Sequence, residues 1–133
     1  MSAFTKAEIE YLRGQTLGRL ATVNERGEPH VVPVAFRYNP ESDAIDIGGH
    51  NIARSKKFRD AARTGRAAFV VDDVLPPWWA RGVEVRGRAE VLDEGGKGVN
   101  ADFDAESIRI APQRIVGWDL DTDAFRRNSR SVG

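Results

Sequence analysis

Gly82-Val83-Glu84-Val85-Arg86-Gly87-Arg88-Ala89-Glu90-Val91-Leu92 alternates with a period of two, the pattern of a strand with one face in a core and the other in solvent. Its Glu84, Arg86, Arg88 and Glu90 read most simply as a paired polar face with no chemistry of its own. Upstream, Arg66-Ala67-Ala68-Phe69-Val70-Val71-Asp72 is nearly continuously apolar, as a central strand is. Leu17-Gly18-Arg19-Leu20-Ala21-Thr22-Val23 and Pro29-His30-Val31-Val32-Pro33-Val34-Ala35-Phe36-Arg37-Tyr38 flank the hairpin turn Asn24-Glu25-Arg26-Gly27. A second turn, Asn39-Pro40-Glu41-Ser42-Asp43, leads to the strand Ala44-Ile45-Asp46-Ile47. Downstream, Ser107–Trp118 returns as a strand broken at Pro112. With a helix at the start and another in the middle, the pattern predicts a mainly β fold: a small antiparallel sheet that curls into a β-barrel with flanking helices.

Both helices are signalled by their caps. Thr5 and Glu8 stand in the capping-box relation, Phe4 is placed to staple against Ile9, and Gly14 closes a helix from Lys6 to Arg13. The second follows Gly48-Gly49-His50-Asn51-Ile52-Ala53-Arg54-Ser55-Lys56-Lys57-Phe58-Arg59, where Asn51 and Ser55 are the possible N-caps. Phe58, Ala61 and Ala62 form its expected buried stripe, and Gly65 ends it. A glycine pair that lets the backbone turn, free N–H groups of a first helical turn and the charges of Lys56 and Lys57 together suit an anion such as phosphate. An ordinary solvated helix face is the equal alternative on local sequence.

Two stretches resist a plain strand reading. Pro33 cannot donate to a ladder, so its strand is an edge there, is bulged, or faces a planar ligand; on this residue alone a bulge is favoured. Asp73-Val74-Leu75-Pro76-Pro77-Trp78-Trp79-Ala80-Arg81 reads as a loop whose tryptophans cover a flat ligand or a subunit interface in preference to a core. The glycine- and acid-rich residues 93–104 read as a loop, and the charged tail from Asp119 is expected to order only against a partner.

Composition limits the function classes. The 133 residues suit one domain, 1–133. Twenty basic and twenty acidic residues cancel, so no global field draws nucleic acid or an anionic membrane. Locally, Arg54, Lys56, Lys57, Arg59, Arg63 and Arg66 face Asp60 alone. The absence of cysteine excludes disulfides and thiolate chemistry, and His30 and His50 lack metal-ligand spacing, so no metal is expected. No apolar leader or membrane-length stretch is present, and a cytoplasmic chain is expected.

Gly18-Arg19-Leu20-Ala21-Thr22-Val23, Pro29-His30-Val31-Val32-Pro33-Val34, Ser55-Lys56-Lys57, Arg81-Gly82-Val83-Glu84-Val85-Arg86-Gly87 and Arg109-Ile110-Ala111-Pro112-Gln113-Arg114-Ile115-Val116-Gly117-Trp118, in this order, resemble the pyridoxamine-phosphate-oxidase-like, FMN-binding split β-barrels. The resemblance is nearest to the actinobacterial branch that uses the deazaflavin coenzyme F-420. It implies a homodimer with the cofactor at the subunit interface. Ser55, Lys56 and Lys57, with Arg54 nearby, would meet phosphate; the ring would lie on the backbone of Val31, Val32, Pro33 and Val34, flanked by His50 and Asn51. Trp79, Arg81 and Trp118 would reach it from the partner.

Flavin-mononucleotide members commonly carry arginine where this chain has His30, and lysine where it has Ala35-Phe36. The pyridoxal-phosphate-binding residues of the family are not recognisable in residues 119–133, so vitamin-B6 oxidase activity is not supported. The implied activity is oxidoreduction, a hydride passing between reduced deazaflavin and a small conjugated acceptor, with no catalytic residue assigned. His50, Tyr38 and Arg81 are conceivable proton donors, each more ordinary as a structural hydrogen bond. The rivals are an FMN reductase or oxidase on the same barrel, a carrier that binds F-420 without turnover, and a plain dimeric barrel.

Overall fold

A computed structural model describes residues 1–120 and 127–133. In chain order the elements are α1 (Lys6–Arg13), β1 (Leu17–Val23), β2 (Pro29–Asn39), β3 (Ala44–Gly48), α2 (Lys56–Thr64), β4 (Arg66–Leu75), β5 (Trp79–Leu92), α3 (Gly96–Val99), β6 (Ser107–Trp118) and β7 (Arg127–Ser131). All strand pairs are antiparallel, in the order β3-β2-β1-β4-β5-β6-β7, and β3 also pairs with β6. Six strands therefore close into a barrel, and β7 is an extra strand on β6. β6 serves both neighbours in turn: Ile108–Ile110 meets β3, and Arg114–Trp118 meets β7.

Alternation fills the barrel. Leu20, Phe36, Ile45, Ile47, Phe69, Val71, Val83, Val85, Ile108, Ile110 and Ile115 all point inward and are buried. Phe36 and Phe69 meet edge to face at 4.9 Å. Each such side chain contributes about 1.5–3 kcal/mol by leaving water. Asp46, fully buried on β3, is matched by Arg109 at 2.8 Å and Asn39 at 2.9 Å, which offsets the desolvation of its charge. α1 is set by its capping box, and Phe4 packs edge-on against Tyr38 at 5.4 Å.

Several expectations change. The break at Pro112 is a bulge within a continuous strand, where the register with β5 shifts between Arg86 and Gly87. The loop expected over residues 73–81 is mostly hairpin: β4 runs to Leu75, which pairs with Trp79, and only Pro76, Pro77 and Trp78 turn. Within residues 93–104, Gly96–Val99 forms a short helix. Ala62 is exposed, and Asp60 with Ala61 is buried in its place. The tail does not wait for a partner: Arg127–Ser131 pairs with the chain's own β6, while residues 121–126 of that expectation lie outside the described residues.

Candidate functional site

β2 pairs with β1 along its whole first part, from Val23↔Pro29 to Leu17↔Ala35, but with β3 only from Ala35 onward. Residues 29–34 are therefore an edge, and the barrel is split beside them. Pro33 lies opposite Arg19 in unbroken register, so it marks this edge and not a bulge. Val31, Val32 and Pro33 are exposed, whereas the Val34 side chain is buried in the core and offers only backbone.

The chain departs from the sheet at Gly48, and the reason for that glycine is packing. A Cβ there would meet the Phe103 ring at 3.0 Å and the Gly96 carbonyl at 3.1 Å. The left-handed residue in the turn is Asn51, with φ 54°, and its side chain caps nothing; its N–H donates to Asp104 at 2.9 Å. His50 is exposed, with its ring edge-on to Phe103 at 5.1 Å. After one 3-10 turn, Ile52–Arg54, Ser55 caps α2: its hydroxyl accepts from the Phe58 N–H at 3.3 Å and donates to the Ile52 carbonyl at 2.6 Å. The hydroxyl is thus engaged in both directions, and the first-turn N–H groups of Lys56 and Lys57 have no carbonyl within the helix to meet.

The two lysines differ. Lys56 is exposed and lines a groove of about 540 Å³ between α2 and the β1–β2 hairpin, with Arg59, Asp60 and Arg63 beside it and Asn24, Glu25, Arg26 and Glu28 opposite. Lys57 is half-buried, and burial lowers the pKa of its ammonium. Arg54 is exposed, and its carbonyl accepts from Arg59 at 3.2 Å. Arg63 donates to the Val23 carbonyl at 3.0 Å. Asp60 is a groove residue that motif reasoning passed over, although it stands out in the sequence as the one acid among six cations.

Trp79, Arg81 and Trp118 lie elsewhere. β4 runs ten residues, from Arg66 at the α2 end to Leu75 beside Trp79, a span of about 30 Å at ~3.3 Å per residue. Arg81 is held by Asp73 at 2.8 and 3.2 Å and lies 4.9 Å from the centre of the Tyr11 ring, whose hydroxyl donates to Asp73 at 2.6 Å. The Arg81 pair keeps the Asp73 pKa low despite the opposing effect of burial. Trp79 donates to the Asp119 carbonyl at 2.8 Å, and Trp118 lies opposite Gly82 on β5. Within one chain these three do not join Lys56. Tyr38 donates to Asp43 at 2.6 Å, and burial followed by that bond raises its pKa, so it is a poor proton donor. Among the described residues, no group of three or more histidines or carboxylates stands together as a metal site, and no helix is long and apolar enough to cross a membrane.

The sequence profile of the pyridoxamine 5'-phosphate oxidase family matches residues 4–120. The chain belongs to this family. Within reach of it is a protein of Streptomyces rimosus subsp. rimosus, named 5a,11a-dehydrotetracycline/5a,11a-dehydrooxytetracycline reductase, which is 48% identical over 122 residues covering 90% of this chain and 86% of the relative. Among solved structures, the conserved hypothetical protein Rv2991 from Mycobacterium tuberculosis superposes with a TM-score of 0.71 at 22% identity, covering 90% of this chain and 87% of the other. The FAD binding protein from Mycobacterium smegmatis gives 0.65 at 19% identity, covering 98% and 100%. At these identities the two structures speak for the family's fold alone.

Proposed function

We propose that this chain is an oxidoreductase of the cytoplasm that works as a homodimer, binds a flavin-type cofactor, the deazaflavin F-420, and reduces a conjugated organic acceptor. One observation carries the reading: residues 29–34 of β2 have β1 on one side and no strand on the other, and β3, which joins β2 only from Ala35, gives way at Gly48 to the turn that leads into the helix capped by Ser55 and opened by Lys56 and Lys57. A flat ring suits an unpaired backbone edge, and a phosphate suits free first-turn N–H groups beside an exposed ammonium. These donors fit the group. The relative's printed name supports the reaction class and points to an acceptor with a ring-borne, conjugated carbon–carbon double bond.

When bound, the cofactor would supply the hydride. The protein's part is placement. Lys56 and the first turn of α2 hold the phosphate, and the backbone of Val31, Val32 and Pro33 offers hydrogen-bonding groups to the ring edge. His50 stands exposed at the split and is the proton donor left among the three considered, since Tyr38 and Arg81 are engaged by Asp43 and Asp73. The dimer is supported by an apolar outer surface: Leu17, Val23, Val31 and Val74 are 58%, 40%, 66% and 48% exposed, and Trp78 is 76% exposed at the β4–β5 turn. Across such a dimer Trp79, Arg81 and Trp118 would approach a site that they do not reach in their own chain.

Fluorescence titration of the pure protein with F-420 and with FMN tests this, repeated for Lys56→Ala and Lys57→Ala. F-420 is expected to bind more tightly than FMN. Lys56→Ala is expected to weaken it roughly tenfold or more, the effect of losing a charge-assisted contact, and Lys57→Ala to weaken it less. Equal, feeble binding of both cofactors by all three proteins would refute the proposal.

A further inference from the structure

His30 stands at the start of the unpaired stretch of β2. It lies opposite Thr22, as Val32 lies opposite Leu20; Thr22 and Leu20 are both buried, so His30 and Val32 share the face of β2 that looks into the barrel. At the split that face is open, with Val32 37% exposed and His30 half-buried. Nε2 of His30 lies 3.3 Å from the side-chain nitrogen of Asn24. The orientation of that amide is fixed. Its Oδ1 accepts the backbone N–H groups of Arg26 at 2.9 Å and Glu28 at 3.0 Å, and its nitrogen donates to Oε1 of Glu28 at 2.9 Å. A flipped amide would lose all three bonds. Asn24 therefore offers His30 only an N–H, and Nε2 can meet it only as an unprotonated acceptor. In the neutral ring the proton is then on Nδ1, which has no hydrogen-bond partner among the described residues.

We propose that Asn24 fixes His30 as an Nδ1–H donor, and that this N–H binds an uncharged oxygen, a ring carbonyl, of the flat ligand lying on residues 29–34. His30 is the binding residue and Asn24 a positioning residue that acts through it. A neutral imidazole with a single N–H suits a carbonyl better than an anion, and the groups that suit phosphate, Lys56 and the free first-turn N–H groups, stand on α2. This inference rests on the reading of residues 29–34 as the seat of the cofactor ring.

Two measurements on the full chain test it, both at pH 8, above the ordinary histidine range. Proton–nitrogen correlation NMR of the imidazole rings in isotope-labelled protein reads each tautomer without any ligand, and the signals lost in His30→Gln assign the spectrum, since the chain has only His30 and His50. The Nδ1–H form is expected for His30. Asn24→Asp keeps the oxygen that holds the turn but accepts where the amide donated, so the Nε2–H form is expected in that variant. Asn24→Ser keeps a turn oxygen with no amide N–H; it replaces Asn24→Asp if that variant does not fold, and is expected to lose the excess of the Nδ1–H form. Fluorescence titration with F-420 then reads the contact. His30→Asn retains a nitrogen donor near the place of Nδ1 and is expected to bind within about twofold of the unaltered protein, whereas His30→Gln retains one only near the place of Nε2 and is expected to bind about tenfold more weakly, the worth of one hydrogen bond. An Nε2–H ring in the unaltered protein would overturn the proposal. Equal F-420 affinity in His30→Asn, His30→Gln and the unaltered protein would overturn the contact and leave the cofactor reading standing, and an unaltered protein that does not bind F-420 would remove both.

Discussion

Removing Arg130 tests how the C-terminal strand is held. Glu8 of α1 is 2% exposed, and Arg130 of β7 reaches it with two guanidinium nitrogens, one at 3.0 Å, while also donating to the Ala3 carbonyl at 2.9 Å. Gly117 makes room for this pair, because a Cβ there would overlap the Glu8 carboxylate. Arg130→Ala leaves a buried carboxylate with the Thr5 N–H, at 2.8 Å, as its remaining partner among these groups. Breaking a buried pair from one side costs about 3–5 kcal/mol, and the surviving cap bond and the partial exposure of Arg130 favour the lower end, about 3 kcal/mol. For a chain of this size that corresponds to a fall of roughly 10 °C in Tm by calorimetry. Glu8→Gln/Arg130→Ala removes the stranded charge as well, so the double variant is expected to be more stable than Arg130→Ala alone. A fall of under about 3 °C, or a double variant less stable than the single one, would refute a buried ion pair as the clasp.

Two further outcomes follow from other parts of the molecule. The Tyr11 hydroxyl is raised in pKa, first by burial and then by its bond to Asp73, so the folded state holds this proton more tightly than the unfolded chain. Its contribution is full below the ordinary tyrosine range near pH 10 and is lost as pH rises through the folded value. Tyr11→Phe is therefore expected to cost about 1 kcal/mol at pH 8, with the difference from the unaltered protein shrinking above pH 10 in denaturant titrations; a gap constant to pH 11.5 would contradict this. Val31→Glu puts a charge on the exposed outer face opposite Ala21 and is expected to turn a dimer into a monomer by sedimentation velocity, with loss of F-420 binding although Lys56 is intact. An unaltered protein that sediments as a monomer would remove the dimer from the proposal.

What could be read from the sequence was local. The capping box of Thr5 and Glu8, the turn at Asn24–Gly27, the C-terminal glycine of α2 and the alternation of β5 each have their cause within a few residues, and each forms as expected. What stayed hidden depends on distant partners. Arg127-Asn128-Ser129-Arg130-Ser131 has no apolar alternation and becomes a strand because β6 offers it a ladder and Glu8, 122 residues away, offers its arginine a charge. Pro33 could be narrowed to an edge, a bulge or a position facing a planar ligand; the unbroken register with β1 excludes the bulge, and the length of β3 makes the edge. The Lys56-Lys57 pair looked uniform in sequence; the fold exposes one and half-buries the other.

The two ends of the barrel differ in how their backbone groups are met, and this bears on where function sits. At the α1 end two carboxylates are matched, Glu8 with Arg130 and Asp73 with Arg81 and Tyr11, although Asp119 beside Trp79 keeps a buried oxygen without a partner. At the α2 end the matching stops. Residues 29–34 have a strand on one side only, the first turn of α2 presents free N–H groups, and Asp60 keeps an oxygen without a partner beside three cations of its own helix. Each of these is a local loss of stability that the same residues could avoid by a longer β3 or an arginine turned toward Asp60. An unpaired strand edge and free N–H groups near one opening are what a flat, phosphorylated ligand would satisfy together, so the α2 end is the place where binding should stabilise the fold. The expected rise in Tm with F-420 should accordingly be lost in Lys56→Ala and retained in Arg130→Ala, because the second variant weakens the end that the ligand does not touch.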